Sequence, residues 1–140
     1  MIILDTTVIS EAMLASASSA VLDWLDARPT LDLATTTINI AEIKFGLARL
    51  PHGRRRAERE RLFNRLVSHS FGTRIFGFDD AAADVYGELV AARERSGRPL
   101  LGFDSLIAAI AASRGLGVAT RDIRGFAGCG IEVVNPWDGP

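Results

Sequence analysis

Four acidic residues stand at positions from which they could bind one metal ion. Asp5 and Asp122 each come at the end of a predicted buried strand, and Glu42 and Asp104 lie near the beginnings of predicted helices. Carboxylates that approach one another repel and raise each other's pKa unless a cation lies between them. Their oxygens suit Mg²⁺ or Mn²⁺, and the sequence contains no Cys/His cluster that would favour zinc.

Each acid also has an ordinary structural interpretation. Asp5 is suited to cap a helix that begins near Ser10, and Asp122 is suited to form a turn. Glu42 fits a solvated helix face as well as it fits a site, and for Asp104 taken alone an N-cap is the favoured interpretation. The positions of Asp5 and Asp122 after strands favour function. Spacing alone does not prove that the four side chains converge.

The elements that must position these acids alternate along the chain. Apolar runs predict strands over residues 1–4, 31–35, 74–78, 117–120 and 131–135. Helical spacing predicts helices around 21–25, 40–50 and 62–67, one from Asp79 or Asp80 to Ser96, and one from Asp104 to Gly115. This alternation indicates an α/β fold with a parallel sheet covered on both faces. Ligands bind such sheets beyond the carboxyl ends of the strands, where Asp5 and Asp122 lie.

Length and composition indicate one soluble domain over residues 1–140. The chain is 48% hydrophobic and 24% charged, and 140 residues suffice for a sizeable α/β core. No uncharged apolar stretch approaches the roughly 18 residues of a membrane helix, and the N-terminus lacks the features of a signal peptide. We therefore expect a cytoplasmic protein without a membrane partner. The one cysteine, Cys129, can form no internal disulfide and fits a reducing compartment.

A net charge of −1 conceals a strongly basic segment. Residues 44–74 contain nine basic side chains against Glu58 and Glu60, a net charge of +7, which leaves −8 for the rest of the chain. The ordinary interpretation is a solvated helix face on which Arg56 pairs with Glu60. As a group, however, the arginines would attract a phosphate backbone that the acids alone would repel.

Four stretches of the chain carry a family resemblance: MIILDTTVISE, TTTINIAEIKFGL, FDSLIAAIAASRGLGVATRDIRGF and the closing VVNPW. Together they resemble PIN-domain proteins, and closely the VapC and FitB toxins of bacterial toxin–antitoxin modules. The similarity covers essentially the whole chain and keeps the order and spacing of the four acids. It implies a three-layer α/β/α domain with a central, mostly parallel five-stranded sheet in which strands one and four are neighbours.

The resemblance implies a Mg²⁺- or Mn²⁺-dependent ribonuclease, with RNA as the substrate and a 5′-phosphate and a 3′-hydroxyl as the product ends. The family's catalytic and metal-binding acids fall on Asp5, Glu42, Asp104 and Asp122. Thr6 and Thr120 are expected as supporting hydroxyls, although Thr120 would equally suit a satisfied strand end.

The resemblance also implies partners. It predicts a homodimer and a small antitoxin of the VapB or FitA kind whose tail crosses the active site. A groove for a partner would use apolar residues of the early helices, for which core packing is the alternative: Met13, Leu14, Leu47 and Leu50. Candidate RNA contacts are the arginines that open the basic helix: Arg54, Arg55 and Arg56.

Two positions depart from the family pattern. Many relatives have Asn where this chain has Thr7, which affects any hydrogen bond that the amide would make. Many also carry Asp where this chain has Gly125, so the fourth acidic position depends on Asp122 alone.

Other enzyme classes fit the sequence less well. A haloacid-dehalogenase-like phosphatase would need an acid at Thr7, and a receiver domain would need a late lysine, whereas the only lysine is Lys44. No glycine-rich phosphate loop is present. The alternative from a different class is a catalytically silent PIN-fold module that acts only by binding its antitoxin-like partner, against which the retention of all four acids argues.

Overall fold

Five short strands form one sheet in the computed structural model, which describes residues 1–140. They are β1 (Ile2–Leu4), β2 (Leu33–Thr36), β3 (Ile75–Phe76), β4 (Gly117–Ala119) and β5 (Val133–Val134). Their order in the sheet is β3-β2-β1-β4-β5, and every neighbouring pair is parallel. The predicted α/β class and the pairing of strands one and four are confirmed, and the sheet is wholly rather than mostly parallel.

The chain reverses its direction across the sheet between β1 and β4. From β1 it proceeds to β2 and β3 on one side, and then returns to place β4 and β5 on the other side. Ile3 lies opposite Val118 and Leu4 opposite Ala119, so the two strands end level with each other. The crevice at such a switch point is the usual ligand site of an open parallel sheet.

Seven α-helices cover the sheet. They are α1 (Thr6–Ala12), α2 (Ser19–Asp26), α3 (Thr37–Ala48), α4 (Arg54–Arg65), α5 (Asp80–Arg95), α6 (Phe103–Arg114) and α7 (Ile123–Phe126). A π-helical stretch, Leu66–Phe71, continues α4. No helix has both the length and the apolar composition needed to span a membrane.

Two cores, one on each face of the sheet, make the three predicted layers. Ile3 of β1 belongs to the core under α5 and α6, whereas the next residue, Leu4, belongs to the core under α1 to α4. Successive strand residues point to opposite faces, which is why adjacent residues enter different cores. Helix α6 supplies the first core with a continuous buried stretch from Ile107 to Ala111.

Caps are present at ends of α3, α5 and α6, and those at Asp79 and Gly115 agree with the sequence. The Thr36 side chain accepts a hydrogen bond from the Asn39 N–H at the start of α3, and Asp79 does the same for Ala82 at the start of α5. Gly115 ends α6 in the left-handed conformation, with φ of 65°.

Two cap interpretations are wrong. Helix α6 begins at Phe103 with Gly102 as its N-cap residue, so Asp104 lies within the first turn and its carboxylate is not the cap. Helix α1 begins at Thr6 rather than near Ser10, and Asp5 occupies its N-cap position without making a side-chain capping hydrogen bond. Both carboxylates are therefore available for other contacts.

Candidate active site

Asp5 is held at the end of β1 by hydrogen bonds from three different segments. Its backbone N–H donates to the Ala119 carbonyl at 2.9 Å, and only 7% of the residue is exposed. Asn39 Nδ2 donates to Oδ1 at 3.0 Å, while the hydroxyls of Thr120 and Thr7 donate to Oδ2 at 2.8 and 3.3 Å. These donors fix the orientation of a buried carboxylate that has no cationic partner.

Asn39 links Asp5 to Glu42 through Thr6. Besides its bond to Asp5, Nδ2 donates to Thr6 Oγ1 at 3.1 Å, and Thr6 Oγ1 donates to Glu42 Oε1 at 3.1 Å. Asn39 Oδ1 accepts the Thr36 hydroxyl at 2.6 Å. Asn39 was not among the predicted site residues, although it lies three residues before Glu42 and therefore on the same helix face.

The surroundings of Glu42 and Asp104 destabilise the ionised forms of both carboxylates. Burial raises the pKa of Glu42, and the charge of Asp5 raises it further, while the hydrogen bond from Thr6 lowers it. Burial raises the pKa of Asp104 to about 6, with further contributions from the charges of Asp5, Glu42 and Asp122. Asp104 thus experiences the charges of all three other acids, which places the four carboxylates in one electrostatic neighbourhood.

Asp122 divides its two carboxylate oxygens between a turn and the acidic cluster. Oδ1 accepts the Gly125 N–H at 3.2 Å and caps α7, so the turn interpretation is confirmed. A Cβ built on Gly125 would lie 3.0 Å from Asp122 Oδ2 and 3.3 Å from Asp104 Oδ2. Those two oxygens therefore flank one small space beside Gly125. Thr120 also supports this residue, since its hydroxyl accepts the Asp122 N–H at 3.1 Å.

The four acids fit a divalent cation by donor type and by charge. None of the three ion pairs in the structure involves any of them, so their negative charge is uncompensated by protein groups. Hard oxygen ligands of this kind suit Mg²⁺ or Mn²⁺. No three of the carboxylates are already placed to share one ion, however, so binding would require side-chain rotation.

A groove of about 330 Å³ extends from the acids towards the arginine-rich helix. Thr6 and Glu42 lie at one part of its lining and Arg59 at another. The apolar residues predicted for a partner groove do line it: Met13, Leu14, Leu47 and Leu50. Arg59 belongs to the basic segment, but nothing in its local pattern distinguishes it from its neighbours.

The three arginines predicted to contact RNA differ in their surroundings. Arg54 and Arg55 are exposed at the start of α4. Arg56 is half-buried, and its Nε lies 2.7 Å from Glu60 Oε1 in the predicted ion pair. Its Nη1 also donates to the carbonyls at the end of α3, so Arg56 joins two helices.

Comparison with known proteins identifies the protein family to which the chain belongs. The PIN-domain family profile matches residues 2–128. The chain therefore belongs to the PIN-domain family, in agreement with the sequence analysis.

Within that family the chain is similar to toxin–antitoxin proteins over its whole length. It is 40% identical over 139 residues to the plasmid stability protein StbB of Pseudomonas syringae pv. tomato, with 99% of each chain covered. It is 39% identical over 138 residues to the VapC ribonuclease Y4jK of Sinorhizobium fredii, again with 99% of each covered. The solved structure of FitAB bound to a DNA fragment superposes with a TM-score of 0.87 at 32% identity, covering 98% of this chain and 96% of that one.

Proposed function

We propose that this chain is a metal-dependent endoribonuclease and the toxin component of a type II toxin–antitoxin module. One observation carries the proposal: four uncompensated carboxylates lie together at the β1/β4 switch point of a chain that is 39% identical to a VapC ribonuclease. Asp5, Glu42, Asp104 and Asp122 would hold Mg²⁺ or Mn²⁺. When bound, the ion supplies Lewis-acid polarisation of the scissile phosphate and lowers the pKa of a water molecule.

The protein's own residues orient the site. Thr120, Thr7 and Asn39 fix both oxygens of Asp5, and Thr6 fixes one oxygen of Glu42. These hydrogen bonds orient the two carboxylates one by one, whereas their approach to a shared ion would require side-chain rotation. Both histidines, His52 and His69, are exposed and make no contact with the four acids, so general-base chemistry does not depend on them.

Substrate binding is assigned to positive charge beside the acids. Arg59 lines the same groove as Glu42, and Arg54 and Arg55 present exposed guanidinium groups one turn before it on α4. A carboxylate site repels RNA unless such charges, or a bound cation, offset the repulsion. Cleavage would leave a 5′-phosphate and a 3′-hydroxyl.

The proposed partners are an antitoxin of the VapB or FitA kind and a second copy of the chain in a cytoplasmic complex. The similarity to FitAB supports the antitoxin, and the apolar groove that opens at Glu42 offers it a surface. Exposed apolar side chains such as Phe45 and Leu101 support self-association.

A silent binding module is the second candidate, because no three carboxylates are arranged around a common ion. The deciding experiment incubates purified protein with structured and unstructured RNA and with Mg²⁺, Mn²⁺ or EDTA, and sequences the RNA ends. Asp5→Asn, which removes charge with little change in volume, is run in parallel. We expect cleavage by the wild type with metal only, and none by Asp5→Asn. RNA or antitoxin binding without cleavage would favour the silent module.

A further inference from the structure

Arg93 is a buried guanidinium group that the proposed chemistry does not use. It lies on α5, only 5% of it is exposed, and it takes part in none of the ion pairs. Its Nε donates to the Arg98 carbonyl at 2.5 Å, Nη1 donates to the Ala127 carbonyl, and Nη2 donates to the Arg124 carbonyl at 3.4 Å. Burying a charge is costly unless hydrogen bonds compensate for it, and here backbone oxygens provide them.

Two of these carbonyls belong to the C-terminal end of α7. Arg124 lies within this helix, and Ala127 is its C-cap residue. The end of a helix leaves carbonyls unpaired and carries partial negative charge, so a cation stabilises it. Helix α7 has only four residues, which is too short to persist without tertiary contacts. Its tertiary contacts in the structure include the buried ring of Phe126 and the guanidinium group of Arg93.

The opposite end of α7 carries Asp122. The Gly125 N–H of this helix holds Asp122 Oδ1, which leaves Oδ2 beside the carboxylate of Asp104. We infer that Arg93 is a positioning residue for Asp122, because it secures the C-terminal end of the single turn whose N-terminal end orients that carboxylate. The catalytic part of this inference rests on the proposed function, whereas the structural part does not.

The test combines substitutions at Arg93 with Asp122→Asn in double variants. Arg93→Lys keeps a charge but cannot reach all three carbonyls, and Arg93→Met keeps only the aliphatic part of the side chain. Arg95→Met, on the same helix, is the control. RNA cleavage is measured as kcat and KM, and hydrogen exchange of the Gly125 amide is followed by NMR. Because misplacing a reacting group raises the activation barrier, we expect both Arg93 variants to lower kcat on the order of tenfold or more, with KM little changed. The Gly125 amide should lose protection, and Arg95→Met should alter neither measurement.

The double variants decide between positioning and general stability. If Arg93 acts through Asp122, Arg93→Lys causes no further loss of residual cleavage in the Asp122→Asn background. Equal losses in both backgrounds would overturn the inference, and so would unchanged Gly125 protection in Arg93→Lys. Arg93→Lys serves as the deciding variant if Arg93→Met does not fold. If the wild type cuts no RNA, the proposed function fails, and the Gly125 exchange alone then decides whether Arg93 holds the turn.

Discussion

Asp5 and Asp104 show how two identical side chains acquire different properties in one site. Asp5 is almost fully buried, yet its carboxylate accepts three hydrogen bonds. Asp104 makes no such bonds in the structure, and burial together with neighbouring negative charge raises its pKa to about 6. Desolvation and like charge destabilise the ionised form of a carboxylate. Asp104 therefore gains stability from a cation or a proton.

The first prediction concerns the pH dependence of stability in EDTA. The pKa of Asp104 is about 6 in the folded chain and 3.8 in the reference state, so the folded chain binds the proton more tightly between these values. Its contribution to the free energy of unfolding is therefore lost as pH rises through that range. Asp104→Asn should raise the urea midpoint clearly at about pH 7.5 and roughly half as much at about pH 5, since about half of the loss is already complete there. Asp84→Asn, on the exposed face of α5, is the control, and an equal midpoint shift at both pH values would contradict the prediction.

The second prediction concerns Asn39. Asn39→Leu keeps the approximate volume but leaves Asp5 Oδ1 and Thr6 without their amide partner. Loss of a buried hydrogen bond to a charged group costs about 2 kcal/mol or more, so the variant should unfold at lower urea and cut RNA more slowly. Asn64→Leu, at an exposed position on α4, provides the matched control in urea unfolding and cleavage assays. Wild-type stability in Asn39→Leu would show that Asp5 does not depend on this amide.

The sequence indicates the four acids as candidates more readily than the buried polar groups around them. Asp5 and Asp122 could be found because a strand end is visible as an apolar run followed by a charge. Asn39 and Arg93 could not, because a buried polar residue on a helix has no distinctive local pattern. Asn39 donates to Asp5, and Arg93 donates to the Ala127 carbonyl after α7. Each pair is separated by 34 residues, so only folding brings the partners together.

At the scale of elements, the strands and long helices could be predicted from apolar periodicity and caps, whereas α1 and α7 could not. Helix α7 is a single turn, and its apolar periodicity is too short to detect. Arg93 of α5 donates to it, and its own Phe126 side chain is buried in the core, so both contacts are with distant parts of the chain. Helix α4 shows the opposite case, since its arginine run and apolar stripe predicted it directly, although the π-helical end at Leu66–Phe71 was not foreseen.

The third prediction concerns α4. Because Arg54 and Arg55 are exposed, Arg54→Gln with Arg55→Gln should weaken RNA binding at low salt and reduce the slope of log K against log salt by about 1.4, at 0.7 per lost phosphate contact. A filter-binding titration with the cleavage-deficient Asp5→Asn chain measures this slope. The control pair, Arg95→Gln with Arg98→Gln, removes the same charge from the other side of the sheet. An unchanged slope would exclude Arg54 and Arg55 as phosphate contacts.

At the scale of the whole molecule, charge is separated between a basic segment and an acidic remainder. The segment from Lys44 to Arg74 carries +7, and the rest of the chain carries −8. The groove from Glu42 to Arg59 joins the two regions. This arrangement suits a substrate with a negatively charged backbone that is cleaved beside the acidic residues. The apolar side chains that line the same groove offer a surface to a partner protein.

The fourth prediction concerns assembly. We expect the purified chain, alone or with its antitoxin, to contain two copies of the toxin, because large apolar side chains such as Leu101 and Phe103 remain exposed. Light scattering after size exclusion should give twice the chain mass of 15.1 kDa for the toxin alone. A mass of one chain at micromolar concentration would contradict the homodimer.

The proposed metal site is tested most directly by anomalous scattering from crystals of the protein grown with Mn²⁺. We expect a manganese peak among Asp5, Glu42, Asp104 and Asp122, with carboxylate oxygens rotated to within coordination distance, and no such peak in Asp104→Asn crystals. A wild-type map with no manganese among these four residues would contradict the claim that they form a metal-dependent active site.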